Sequence, residues 1–146
     1  MLRFDLSALA DVTIVGAQLE MYNYDQTDPG TVEVHVVLEA WTEGGVNMRP
    51  AASNWVEREQ DVSWAAPGAG AGSHDPEVVA TFALTEASVA VFLAIPVGVV
   101  QTWIDQPTDN HGLLLHSDEI VNPVYIASSE ADIAEERPLL VVDYVP

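Results

Sequence analysis

At 146 residues the chain has the length of one ordinary domain, 1–146, and its 49% hydrophobic content is enough to bury a core without cross-links. It has no cysteine, which excludes disulfides, thiolate metal sites and thiol nucleophiles. Acidic residues number 23 against 4 basic ones, all arginine, and the net charge of -19 repels nucleic acid and anionic membranes, so neither is expected as a partner.

In chain order, Leu2-Arg3-Phe4-Asp5 reads as a short opening strand. No basic leader, long apolar segment or small-residue cleavage site surrounds it, so with Met1 as the native start signal-peptide export is not expected. Residues 13–22 alternate, with Val15, Ala17, Leu19 and Met21 facing one way and Gln18, Glu20 and Tyr22 the other. After the Asp28-Pro29-Gly30 turn, residues 31–38 alternate again, placing Val32, Val34, Val36 and Leu38 inward and Glu33, His35 and Glu39 outward. The two segments are expected to pair as an antiparallel hairpin. Residues 41–77 read as a long irregular loop, a length that in compact domains often carries function.

Strand patterns return at residues 78–84 and 89–95. Pro96 then opens a helix over residues 97–105 with Val97, Val100 and Ile104 on one face, and Gln106-Pro107 ends it. Residues 112–117, 124–127 and 139–144 complete roughly eight short strands. The fold class expected is all-β, an antiparallel sandwich or jelly roll with one short helix. The longest apolar run, residues 89–100, contains Pro96 and Gly98 and falls short of the ~20 residues of a membrane span.

Signatures of chemistry are missing. There is no G-x-S-x-G elbow, phosphate loop or dinucleotide fingerprint. His35, His74, His111 and His116 show no metal-ligand spacing on a helix. The acidic residues nominate no particular glycosidase-like pair, so a non-catalytic protein is expected. Three readings of the acidity stand: adaptation to saline surroundings, divalent cation binding, or a basic partner surface.

Several segments in combination resemble the DNRLRE domain family. They are Leu2-Arg3-Phe4-Asp5-Leu6-Ser7, Trp41-Thr42-Glu43-Gly44-Gly45-Val46 with Arg49-Pro50-Ala51, Gln101-Thr102-Trp103 with Asn110-His111-Gly112-Leu113-Leu114-Leu115, and Ala127-Ser128-Ser129-Glu130 with Arg137-Pro138-Leu139. Their order and spacing agree over nearly the whole chain. The resemblance implies a β-sandwich found mostly in secreted and surface proteins, with carbohydrate binders among its relatives and calcium structural in some. Members usually carry further strands before the opening motif, and the loop after Val46 is shorter here, without its tryptophan.

Candidate sites follow from residue chemistry. Trp55 and Trp64 in the long loop, then Tyr22, Tyr24 and Tyr125, are the candidate stacking platforms for a neutral glycan. Trp41 and Trp103 are expected in the core. Asp118, Glu119, Glu130 and Asp132 are the candidate donors for calcium, which needs about 6–8 oxygen ligands. Arg49 and Arg137 each precede a proline at a loop-to-strand junction, and Arg49 is expected to pair with Glu43 or Glu130 and pin the long loop. Two functions are carried forward. One is a structural assembly subunit, such as a virion decoration or tail-associated protein, whose sheet a neighbouring chain completes by strand addition. The other is a carbohydrate-binding module or adhesin domain on an extracellular surface.

Overall fold

The structure is a computed structural model that describes residues 1–26, 29–43, 52–118 and 124–146, the side chain of Gln26 excepted. Its strands are β1 (Thr13–Gln26), β2 (Gly30–Val36), β3 (Glu57–Glu59), β4 (Val62–Ser63), β5 (Ala80–Leu84), β6 (Val89–Ala94), β7 (Leu113–His116), β8 (Val124–Ile126) and β9 (Leu139–Val145). One α-helix, α1 (Val97–Asp105), stands among them, and the all-β antiparallel sandwich expected from the sequence is the fold observed.

The first sheet is built on β1, which pairs with β6 along one edge and with β9 and then β8 along the other. The second has the order β5-β2-β7. The sheets meet face to face because each strand turns alternate apolar residues the same way. Leu19, Met21 and Leu93 from the first sheet meet Val32, Val34, Phe82, Leu84 and Leu113 from the second, and Val100 and Trp103 of α1 complete the core.

Several details differ from expectation, each for a physical reason. The segments at 13–22 and 31–38 do not form a hairpin: β1 and β2 lie in different sheets, so their apolar faces oppose each other across the core instead of lying side by side. Val15 is exposed and Ile14 buried, because the β1–β9 register shifts between Ile14 and Gly16 and the extra residue turns outward. Leu38 lies past the end of β2 and is 49% exposed. The helix buries Val100 and Trp103, while Val97 in its first turn stays exposed. The opening segment makes one bridge, Leu2 to Leu113, in place of a strand. Gly112, at φ +83°, permits this approach, since a side chain there would strike the Leu2 carbonyl.

The long loop is not structureless. It carries the β3–β4 hairpin and folds onto the outer face of the second sheet as a third layer. Val37 and Leu114 on that face join Trp41, Trp64 and Ala69 from the loop in a second buried cluster. The outward-facing Leu114 of β7 is thereby buried, and so is His35, which does face away from the main core and is 4% exposed.

Candidate functional site

Backbone and side-chain hydrogen bonds fix the loop layer onto the sheet. The Leu38 amide donates to the Ser73 carbonyl (2.8 Å), the Asp75 amide to Val36 (2.9 Å) and the Thr42 amide to Arg58 (2.9 Å). The indole N–H of Trp41 donates to the His111 carbonyl (2.7 Å), and that of Trp64 to Asn54 (2.9 Å). The Arg3 guanidinium stacks on Trp41, 5.3 Å from the ring centroid. Arg58 Nη1 donates to the Ala40 carbonyl (2.7 Å), while its guanidinium faces Glu59 at 3.3 Å and Glu39 at 3.8 Å.

Glu39 is the anionic centre of this arrangement. Its carboxylate accepts from the Ala65 amide at 3.1 Å, and Ser73, buried completely, lies against it. The bond to the Ser73 hydroxyl does most to hold the Glu39 carboxyl below its usual range, partial burial opposes it, and the Ala65 amide and Arg58 add to the lowering.

The structure separates the candidate sugar platforms. Trp64 is 5% exposed, its ring spent in the second cluster, so it offers no stacking face. Trp55 is 73% exposed and braced from behind by Gly68, where an added Cβ would stand 2.5 Å from the indole. Tyr22, Tyr24 and Tyr125 sit together where β1 pairs with β8, on different elements from Trp55. Tyr22 and Tyr24 meet edge to face at 5.3 Å, with Tyr22 half-buried, while Tyr24 and Tyr125 are exposed. The Tyr24 hydroxyl donates a short hydrogen bond to Glu136, which raises the phenol pKa. Trp41 and Trp103 are both buried, as expected.

The acidic candidates are scattered. Asp118 lies on His116 Nε2 at 3.1 Å, Asp132 lies near the Tyr24 hydroxyl, and Glu130 is exposed. Among the described residues no group of three or more His, Asp or Glu side chains could hold a metal ion, and Asp118, Glu130 and Asp132 are not gathered into one. Glu119 lies outside the described residues, as does Arg49, and with it the expected pinning pair. Glu43 accepts from the Ser129 hydroxyl (3.2 Å), and Arg137 donates to the Ala131 carbonyl (2.8 Å), closing its own loop.

Two features escape a sequence reading. Arg58, inside a stretch without periodicity, ties the loop layer to the Ala40 carbonyl and to Glu39. His35, His74 and His116, from β2, the loop and β7, gather with ring centroids 4.8, 6.4 and 6.5 Å apart. Nothing in their spacing of 39 and 42 residues signals this, because it depends on the loop's returning over the sheet.

The other face of the sandwich carries exposed apolar side chains on its outer strands. Phe92 and Leu139 flank Glu20 in one cross-strand row, and Ala94 and Val141 flank Gln18 in the next. Phe92 is 58% exposed, Leu139 53% and Val141 39%. Among the described residues β6 and β9, which carry these side chains, each pair with β1 alone and leave their outer edges open. No helix among the described residues is long and apolar enough to cross a membrane. Comparison with protein-family models, curated proteins and solved structures found no match.

Proposed function

We propose that the chain is a non-catalytic assembly subunit that associates with further copies of itself through the β6 and β9 edges and the exposed apolar side chains those strands carry. The observation that carries this reading is the coincidence of two features on one sheet. Open edge strands offer unpaired backbone donors and acceptors for strand addition. The exposed Phe92, Leu139 and Val141 beside them supply apolar area that a neighbouring copy would remove from water. The resemblance to DNRLRE domains, which implies a sandwich of this class in surface proteins, is compatible with a subunit displayed on a virion or cell surface.

The charge of -19 sets the conditions. Like-charged copies repel until salt screens them, so association strengthens with ionic strength, as suits saline surroundings. Light scattering coupled to size-exclusion chromatography tests this: a defined oligomer in high salt is expected, and Phe92→Glu, on an exposed side chain, returns it to monomer. A monomer at high concentration in high salt would sink the proposal.

Trp55 favours a second reading, a carbohydrate-binding surface. An indole 73% exposed and packed against Gly68 is a flat aromatic surface of the kind on which a neutral sugar ring stacks. A glycan array screened with the wild type and Trp55→Ala tests it: saturable binding lost in the variant supports the reading, and no binding by the wild type removes it. Calcium, which the resemblance implies for some relatives, belongs to this reading as a bridge to acidic glycans, and the same screen run with chelator tests that role.

A further inference from the structure

β6 lacks the features that ordinarily blunt an edge strand. Among the described residues it pairs with β1 alone, in an unbroken register from Asn23–Val89 to Gln18–Ala94. It holds no charge and no proline from Val89 to Ala94. The stretch around it is as neutral: Glu86 is the one charged residue between Glu77 and Asp105, in a chain with 23 acidic residues. β9, the other open edge of this sheet, differs. It carries Asp143 and faces the register shift between Ile14 and Gly16, and charge and bulges both discourage strand addition.

The backbone of β6 is also self-complementary. The Ile95 amide donates to the Ala17 carbonyl (3.0 Å), so by alternation Val89, Val91 and Leu93 turn their backbone groups to β1. Ala90, Phe92 and Ala94 therefore point theirs at the open edge, with their exposed side chains on the outer face. This trio, centred on Phe92, matches a copy of itself running antiparallel: Phe92 meets the partner's Phe92, and Ala90 meets the partner's Ala94. Moving the axis by one residue leaves an outward residue of each copy unmatched.

We propose that β6 pairs with β6 of a second copy about a two-fold axis at Phe92, joining the β1-centred sheets of both into one. This rests on the assembly reading above and names the edge and the symmetry it uses. Antiparallel pairing supplies about six backbone hydrogen bonds, two for each matched pair. The two Phe92 rings become cross-strand neighbours and shield each other from water. Repulsion is small there: Glu20, beside Phe92 on β1, stands three strand spacings from its copy, about 14 Å, beyond the ~8 Å screening length of physiological salt. A contact of this kind closes on itself, so alone it yields a dimer.

With no native cysteine, introduced thiols report on this contact alone. Full-length Ala90→Cys and Ala94→Cys chains are mixed in low salt, brought to high salt and mildly oxidised. Ala90 and the partner's Ala94 lie about 5.5 Å apart across a hydrogen-bonded pair, within disulfide reach. Like positions lie about 14 Å apart, so a covalent dimer is expected from the mixture and not from either chain alone. Ala90→Pro removes an edge amide while sparing the β1 ladder. It should weaken dimerisation at least about tenfold and leave the low-salt melting temperature nearly unchanged. A high-salt oligomer without the mixed cross-link overturns the β6 two-fold and leaves the assembly reading standing, whereas a high-salt monomer overturns both. Cross-linking of either chain alone to the level of the mixture, or an Ala90→Pro dimer as tight as the wild type, also overturns the two-fold.

Discussion

The three-stranded sheet has a buried cluster on each face, and the two are built on different principles. Between the sheets lie mainly aliphatic side chains on regular strands and α1, with Leu19, Leu84, Val34, Val100 and Leu113 almost completely buried. Under the loop lie two tryptophans and a serine on irregular backbone against His35 of β2, and directional bonds hold them: indole to carbonyl, serine to glutamate, guanidinium to carbonyl. Burial between the sheets is non-directional and tolerates volume-conserving change. The loop layer is held by directional bonds, each fixing a specific residue. The first region therefore sets whether the chain folds, and the second sets the shape of one surface.

Replacing the same residue type in the two regions tests this division. Trp103→Ala, in α1 against the main core, is expected to cost about 3–5 kcal/mol and lower the single global unfolding transition. Trp64→Ala, buried almost as deeply, is expected to cost only about 1–2 kcal/mol globally, because the layer opens as a unit of its own before the sandwich does. Its effect should show in hydrogen exchange, with amides of the loop accelerated and those of β1 and β2 unchanged. Equal losses in urea denaturation would mean that the two clusters unfold together.

Arg58→Ala probes the directional bonds with a smaller change. The side chain is about a quarter exposed and faces carboxylates at 3.3 and 3.8 Å, so its ion pairs are screened and the expected loss is under about 1 kcal/mol. The bond to the Ala40 carbonyl is the part that matters, since its removal frees the exit of the sheet segment. Arg58→Lys, a point charge without the planar fork, should recover little of it. Full recovery by lysine would show that charge alone was acting.

The same division explains what was legible in the sequence. Ala17, Leu19, Met21, Val32 and Val34 obey a period of two, and period-two burial is what makes a sandwich, so the fold class and its main core could be read from residue order. Which strand pairs with which could not: β1 and β2 alternate equally well whether they lie side by side or face to face. Val15 misled because one inserted residue at a bulge inverts the alternation locally. The loop layer left almost no trace, since Trp64, Ser73 and Arg58 carry no period. Trp55 and Trp64, nine residues apart in one irregular stretch, are alike in sequence, and only the fold makes one a surface and the other a core.

The smallest expected effect is also the most specific to the loop layer. The Glu39 carboxyl is held below its ordinary value of 4.5, first by the Ser73 hydroxyl. A carboxylate depressed in the folded state contributes stability that is complete above its unfolded pKa and is lost as pH falls through the lower folded value. The window for Glu39 therefore opens near 4.5 and extends downward. With 23 acidic residues the whole chain titrates in this range, so the measurement is the stability difference between wild type and Glu39→Gln, taken at about pH 6 and again at about pH 3. The difference should shrink on acidification, and Ser73→Ala should move the Glu39 titration, followed by its carboxyl resonance, back toward the ordinary value. A difference that stays constant with pH would show that Glu39 serves the layer by shape and not as an anion, leaving its contact with Ser73 as packing alone.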